Sequence, residues 1–419
     1  MLIRFKVKNY LSFNQETEVL LTPGKVRKHK EHILKSEKRT GIDILKHGIF
    51  YGANASGKSN LVKAIALAKK MIVAKHKPEK NIPIKPFKLV ENYQKHKSQF
   101  EFEIKYEDNY YAYGFNLKRN KIFEEWLYSI NKNRDKKLYE RKTDKDGNVE
   151  VDLDGLKLKG KEKDRVKFIG SDTRENQLFL NAINERNIQN IKGVEPIIHV
   201  LNWFKSVLVV INPDSKYKLT EINLKRDKNF LEAYNMFLKQ FDTGIDRIYC
   251  KEVKINGDLD KIDIPGEVIE DIYNNLDRGS FATISGPNNE RCVIQKTKNQ
   301  EKKVLKIYTE HNIIDTDGFV EFDVREESDG TNRMLDIIPI LLQSKLSNKV
   351  FVVDELDRSL HPALTHKLIE IFSELTKNSA SQLLATTHDT ALLDLNLLRR
   401  DEIWFIEKAP DGDSDIYSL

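Results

Sequence analysis

The segment "FYGANASGKSN", residues 50–60, decides how the rest of the chain is read. It fits G-x-x-x-x-G-K-[ST] through Gly52, Gly57, Lys58 and Ser59, with Ala53, Asn54, Ala55 and Ser56 between the glycines. Glycines let the backbone curl until successive amides point inward, and a helix starting there adds the positive end of its dipole. Such a loop cradles phosphate oxygens, so Gly52 to Asn60 is the expected nucleotide-binding segment. Lys58 is expected to reach the β and γ phosphates and the Ser59 hydroxyl to ligate Mg²⁺. The flanks agree. Ile49 and Phe50 read as the apolar end of a strand, and Leu61, Ala64, Ile65, Ala68 and Ile72 fall on one face of a following helix.

The chain has 419 residues, enough for two or three domains, with 39% hydrophobic and 32% charged residues. That balance describes a globular protein with a highly charged surface. No run approaches the roughly 20 apolar residues that span a bilayer. The opening "MLIRFKVKNYLSF" alternates like a strand and lacks the apolar core of a signal peptide. The expected compartment is the cytoplasm, with no membrane partner. Cys250 and Cys292 form no CxxC pair, which argues against a disulfide framework and against structural zinc. The net charge of +6 is spread over lysine-rich patches that read as solvated faces, leaving DNA as an open partner.

Beyond the helix, Pro78, Pro83 and Pro86 break the pattern. Residues 98–130 read as an antiparallel meander: Phe100, Phe102 and Ile104 alternate with charges, then Tyr111, Tyr113, Phe115 and Leu117 alternate again. Residues 132–170 look loop-dominated, 176–241 mainly helical, and 246–325 again like short strands. The last hundred residues alternate apolar strand and helix, as in a buried parallel sheet.

Three further stretches carry chemistry. In "KVFVVDELDRSLHP", residues 349–362, a short buried strand ends in Asp354 and Glu355. A carboxylate at that tip can hold Mg²⁺ opposite Ser59, and the adjacent Glu355 can orient and deprotonate an attacking water. In "LLATTHDTALLD", residues 383–394, His388 follows another apolar strand and would lie near the γ-phosphate if the two strands are neighbours. In "REESDGTNRMLDIIPIL", residues 325–341, Ser328, Asp329, Gly330 and Thr331 open a helix striped by Leu335, Ile338 and Leu342 and kinked by Pro339. Serine hydroxyl, glycine backbone and helix start make a second anion-binding end. A second such end in one chain suggests service to a nucleotide held by a second copy. In isolation, Ser328 would read as an N-cap.

The order of these four stretches resembles the ABC-type ATPases, in the branch that includes SMC proteins, RecF and the OLD nucleases. The resemblance implies an α/β ABC-type P-loop ATPase head built from both chain ends, with an antiparallel β subdomain and a helical/β insertion. The parts expected are 1–75 (N-terminal half of the head), 76–142 (antiparallel β part), 143–325 (mixed insertion) and 326–419 (C-terminal half). By the same resemblance, 52–59 look like the Walker A loop, 350–355 the Walker B strand and Asp357 with "SLHP" the D-loop. His388 looks like the switch histidine, and Ser328 to Thr331 the signature that completes the opposite protomer's site. Glu327 and Asp329 depart from the transporter form LSGGQ, which suits the SMC/OLD branch. Gln177 in "ENQLFLNAIN" is the candidate Q-loop glutamine and third metal ligand, although no motif fixes it.

Several stretches, among them "SDGTNRMLDIIPIL" and "LRRDEIWFIEKAPDGDSDIYSL", are similar to bacterial ATPases of abortive-infection and phage-defence type. That group includes the ATPase of the PARIS system and the RloA-like proteins. It implies ATP and Mg²⁺ as cofactors and a slow, assembly-regulated ATPase with Glu355, His388 and Lys58 catalytic. It also implies a head-to-tail dimer or larger oligomer, a TOPRIM-type nuclease effector and a phage-encoded trigger. Such relatives usually continue past the residues matching Leu419, so the sequence given is expected to stop short of a C-terminal tail. A RecF/SMC-like repair ATPase and a non-hydrolysing nucleotide-gated scaffold remain alternatives; a transporter subunit is disfavoured by the insertion and the signature.

Overall fold

The computed structural model describes residues 1–36, 41–77, 81–131, 134–186, 188, 190–213, 217, 220–253, 264–286 and 290–419. Pro78 of the expected helix break lies outside them. In chain order the first elements are β1 (Leu2–Lys8), β2 (Thr17–Leu20), β3 (Ile33–Leu34), β4 (Ile44–Leu45), β5 (His47–Tyr51) and α1 (Lys58–Val73). Next come β6 (Ser98–Tyr106), β7 (Asn109–Leu117), β8 (Ile122–Ser129), β9 (Lys136–Thr143) and β10 (Val149–Asp152). Three helices, α2 (Gly160–Ser171), α3 (Phe179–Asn184) and α4 (Glu195–Asn202), lead to β11 (Leu208–Ile211). Then follow α5 (Thr220–Arg226), α6 (Lys228–Gln240), β12 (Arg247–Val253), α7 (Gly266–Asn275), β13 (Phe281–Ser285) and β14 (Arg291–Lys296). The chain continues through β15 (Lys302–Asn312), β16 (Phe319–Asp323), α8 (Asp329–Leu346), β17 (Val350–Val353), α9 (Pro362–Leu375), β18 (Gln382–Thr386), β19 (Ile403–Lys408) and β20 (Ser414–Ser418).

These elements form two compact units: 1–213 with 347–356 and 373–419, and 214–346 with 357–372. The first unit holds two large sheets. One is antiparallel, in the order β10-β9-β8-β7-β6-β1-β2. The other runs β11-β17-β18-β5-β19-β20, parallel throughout except for β20. The strand carrying the phosphate loop, β5, thus lies between β18 and β19, from the far end of the chain. Both ends build the α/β head, as the resemblance implied.

The core follows from the sequence pattern. The α1 face of Leu61, Ala64, Ile65, Ala68 and Ile72 is buried, as are the inward positions Phe100, Phe102 and Ile104 of β6 and Tyr111, Tyr113, Phe115 and Leu117 of β7. All these residues share one hydrophobic cluster with Phe50, Val350, Val352 and Leu384. Burial at roughly 25 cal/mol per Å² of apolar surface makes that cluster the main support of β5 and of the loop it carries.

Four expectations are corrected. The expected breaks after 75 and after 142 both cut through the seven-stranded sheet, because β1 pairs with β6 and the β9–β10 hairpin straddles Thr143. Residues 132–170 are not loop-dominated, since they hold β9, β10 and α2. Their inward positions include Arg141, whose guanidinium donates to the carbonyls of Ile122 and Arg174, so apolar alternation is broken by a buried polar group. The apolar run Leu208–Ile211, read as part of a helix, is the edge strand β11 on β17. In α8, burial extends all round the helix from Asn332 to Leu342 rather than along one stripe.

The second unit contains the sheet β12-β15-β14-β13, with β16 paired to β15. Pro339 lies inside α8 and cannot donate to the carbonyl of Leu335, four residues back. The buried hydroxyl of Tyr234 on α6 donates to that carbonyl instead. Arg291 is held by Glu221, by Asp336 at 2.7 Å and by the Tyr217 carbonyl at 2.7 Å, forming a buried ionic knot.

Candidate nucleotide site

The loop after β5 takes its shape from two residues with positive φ, Ala55 (63°) and Gly57 (120°). At Gly57 only glycine fits: a Cβ there would stand 2.5 Å from Ser414 Oγ and 2.8 Å from Ser12 Oγ. Those two serines buttress the loop. Ser414 Oγ donates to the Ser56 carbonyl at 2.6 Å, and Asn60 Nδ2 donates to Ser12 Oγ at 2.9 Å. Ser12 and Ser414 are themselves joined by a backbone hydrogen bond of 2.8 Å. Ala53, Asn54 and Ala55 are exposed at the loop's rim.

Lys58, at the start of α1, folds its ammonium back into the loop and donates to the carbonyls of Gly52 (2.6 Å) and Ala53 (3.0 Å). His388 Nδ1 lies 3.5 Å from the same nitrogen, so the loop after β18 does reach the phosphate loop. That juxtaposition follows from the register, which sets Thr386 opposite Phe50 on adjacent parallel strands. His388 is exposed and Lys58 is buried.

Ser59 and Asp354 meet. The Ser59 hydroxyl donates to Asp354 Oδ1 at 3.2 Å. Asp354 is buried at the tip of β17, and the same oxygen accepts from the Thr386 hydroxyl at 2.6 Å. Thr386 Oγ1 in turn accepts from the amide of Glu355 at 2.8 Å. Glu355 sits in left-handed backbone (φ 50°), a conformation that costs a side-chain-bearing residue about 1 kcal/mol or more. The strain turns the chain off β17 and leaves the half-buried Glu355 one step beyond the Asp354–Ser59 pair. Thr386, Ser12 and Ser414 are supporting residues that sequence reasoning missed. Thr386 had a signal, since it precedes His388 by two residues and ends the neighbouring apolar strand.

A profile of the family described as "AAA domain, putative AbiEii toxin, Type IV TA system" matches residues 49–394, well over half of the chain. The chain belongs to this AAA-domain family. No curated protein matches it. Among solved structures, an SMC head bound to the C-terminal winged helix of ScpA and the SMC head of Thermotoga maritima each superpose with a TM-score of 0.42 at 12% identity, covering 100% of this chain and 98% of theirs. A Pyrococcus furiosus Smc head with an extended coiled coil gives 0.39 at 11% identity, covering 100% and 96%. TM-scores this low mark only a loose likeness in shape.

The residues of this AAA-domain chain fit a nucleoside triphosphate with a divalent metal. The Lys58 ammonium occupies carbonyls that phosphate oxygens can replace, and the Ser59 hydroxyl and Asp354 carboxylate already converge within hydrogen-bonding distance. Gln177 does not join them, which corrects its expected place as a metal ligand. Its amide donates to Asn181 Oδ1 at 2.9 Å and Glu185 Oε2 at 3.3 Å. It lines a cavity with Leu67, Lys70 and Met71, late in α1. At 1.5 Å per residue, Lys70 lies about 18 Å along the helix from Lys58.

The signature and D-loop candidates fall in the second unit. Ser328 Oγ accepts from the Thr331 amide at 3.1 Å, so the serine is an N-cap of α8 as well as a candidate ligand. The Asn332 amide ties the turn together by donating to the carbonyls of Val324, Glu327 and Ser328. Ser328 and Asp329 remain exposed, while Gly330 and Thr331 are half-buried. A Cβ on Gly330 would stand 2.8 Å from the Ser359 carbonyl, so glycine there permits close approach of the loop that also carries Asp357.

Proposed function

We propose that this chain binds ATP with Mg²⁺ and hydrolyses it slowly, as one head of a two-copy ABC-type assembly. The observation that carries the reading is the 3.2 Å contact between Ser59 and Asp354, which come from opposite parts of the sequence yet converge beside the loop. Backbone amides of Gly52 to Asn60 would hold the phosphates, with Lys58 turning from the loop carbonyls to the β and γ oxygens. Ser59 and Asp354 would hold Mg²⁺, which when bound neutralises charge on the β and γ phosphates. Glu355 is the base that takes the proton of the attacking water, and His388 stands on the γ side through its approach to Lys58.

The internally braced turn at Ser328 to Thr331, exposed at Ser328 and Asp329, supports a role in capping the nucleotide of a second copy, with Asp357 as the D-loop carboxylate. Closure of a head-to-tail dimer, alone or within a larger oligomer, would then gate turnover. The family's description as a toxin of a toxin–antitoxin system, together with the likeness to the PARIS ATPase and RloA-like proteins, supports a cytoplasmic defence role. In that role the chain senses a phage-encoded trigger and restrains or releases an effector such as a TOPRIM nuclease.

Glu355→Gln tests the chemistry. ATP binding should survive while kcat falls about 10²- to 10⁴-fold, the usual contribution of a general base. The variant should also accumulate as a nucleotide-bound dimer in size-exclusion chromatography with ATP and Mg²⁺. Wild-type turnover in this variant would refute the assignment of the base.

A further inference from the structure

At the opposite end of β5 from the phosphate loop lies a second polar cluster that ATP chemistry does not use. His32 sits in a short helical turn before β3, His47 opens β5, and Glu402 lies in the turn before β19. All three are buried, with exposures of 3%, 0% and 0%. His32 Nδ1 lies 2.9 Å from Glu402 Oε2 and His47 Nδ1 lies 3.1 Å from Glu402 Oε1. The three ligand atoms lie within 4.8 Å of one another.

A buried carboxylate is stable only when a cation or several donors face it. Among the described residues, Glu402 has no lysine or arginine ion pair; its charge partners are the two imidazoles, and the Arg399 amide adds one hydrogen bond at 2.8 Å. Nearby cations are committed elsewhere. The Arg399 guanidinium holds Asp401 and the carbonyls of Val26 and Lys28, and Lys46 donates to the carbonyls of Thr376 and Lys377. Two imidazole nitrogens and a carboxylate are the donor set of a borderline divalent ion, and separations near 3 Å suit ligands about 2 Å from a shared centre.

We infer that His32, His47 and Glu402 form a buried site for one divalent transition-metal ion, best matched by Zn²⁺, that pins the segments before β3 and before β19 to the base of β5. The scarcity of cysteine argues against thiolate zinc and does not bear on this donor set. Binding requires both Nδ1 atoms to be unprotonated, so each imidazole carries its proton on Nε2. The Ser373 hydroxyl, 3.2 Å from His47 Nε2, is placed to accept that proton's hydrogen bond and hold the ring in orientation. A neighbouring trio, His29, Glu31 and His32, shares one ligand, but His29 is half-buried and Glu31 exposed.

The test is metal analysis of the full-length protein, purified without a polyhistidine tag from zinc-supplemented cells and dialysed against a weak chelator. Mass spectrometry of the metals should find about one zinc per chain, falling below about a tenth in His47→Gln and Glu402→Gln, while His29→Gln keeps its zinc. Refolding with Co²⁺ should give the visible absorption of a low-coordinate nitrogen–oxygen site, absent from the same two variants. Wild-type protein that holds no zinc and shows no cobalt band overturns the inference, whether or not the variants fold. So does zinc that persists in His47→Gln, or that His29→Gln removes.

Discussion

Two clusters of charge in this molecule differ in how deeply their groups are enclosed. In the second unit, Arg291 is enclosed by Glu221, Asp336 and the Tyr217 carbonyl, and the knot is buried. In the first unit, Lys58, Ser59, Asp354, Glu355 and His388 gather where the parallel strands end. There, the Ser59–Asp354 and Lys58–His388 contacts are long (3.2 and 3.5 Å), and the loop rim is exposed. Both clusters hold several charged side chains, yet only the one beside the phosphate loop lies against an exposed rim that a ligand can reach. Enclosure marks a structural cluster, and access marks a site.

Breaking the buried knot should have the largest effect on stability. Arg291→Met leaves Glu221 and Asp336 buried without their cation, and removal of one partner from a buried ionic group costs about 3–5 kcal/mol. Chemical denaturation should show a loss of this size, with ATP doing little to restore it. A loss below about 1 kcal/mol would mean that the knot is open to water, and the contrast with the site would fail.

The next effect sharpens the open side. Gly57→Ala must adopt φ near 120° and push its Cβ against Ser12 and Ser414, a strain of about 1–3 kcal/mol placed directly on the phosphate loop. Stability should fall modestly while ATP affinity, read by calorimetry, falls by more than that strain alone implies. Unchanged affinity would separate the loop's shape from binding.

The smallest effect concerns the thiols of the second unit. Burial pushes both Cys250 and Cys292 up to about 12, from an ordinary value of 9.0. Their folded pKa lies above the unfolded one, so their contribution to stability is whole below pH 9 and is lost as pH rises toward 12. Alkylation by iodoacetamide at pH 8 should therefore be slow in folded protein and fast in denaturant, and melting temperature should decline above pH 9. Rapid labelling of Cys292, which is buried where Cys250 is half-buried, in native protein at pH 8 would show the interior of this unit to be accessible.

How much of this was readable from sequence depends on whether the signal is local. The phosphate loop, the β17 tip and the β18–His388 turn are short, glycine- or strand-bounded patterns whose backbone needs are met within a dozen residues. The structure brings Lys58, Ser59, Asp354 and His388 together beside that loop. Gln177 was misplaced because a glutamine's role is set by what faces it, and here Asn181 and Glu185 do. The edge strand Leu208–Ile211 merged with the helix before it, since a four-residue apolar run has no period to separate strand from helix. Ser12 and Ser414 were silent because buttressing a loop from both chain ends leaves no spacing to read. The cluster at His32, His47 and Glu402 was silent for the same reason.

The central claim is that remote parts of one chain make half of a triphosphate pocket and a second copy supplies the other half. The direct measurement mixes two inactive variants, Lys58→Ala and Ser328→Arg, and follows phosphate release. In a symmetric dimer with composite sites, equimolar mixing should restore about a quarter of the wild-type rate per chain, through the single intact pocket of each mixed pair. A mixture as inactive as its components, although mixed dimers form, would contradict the account.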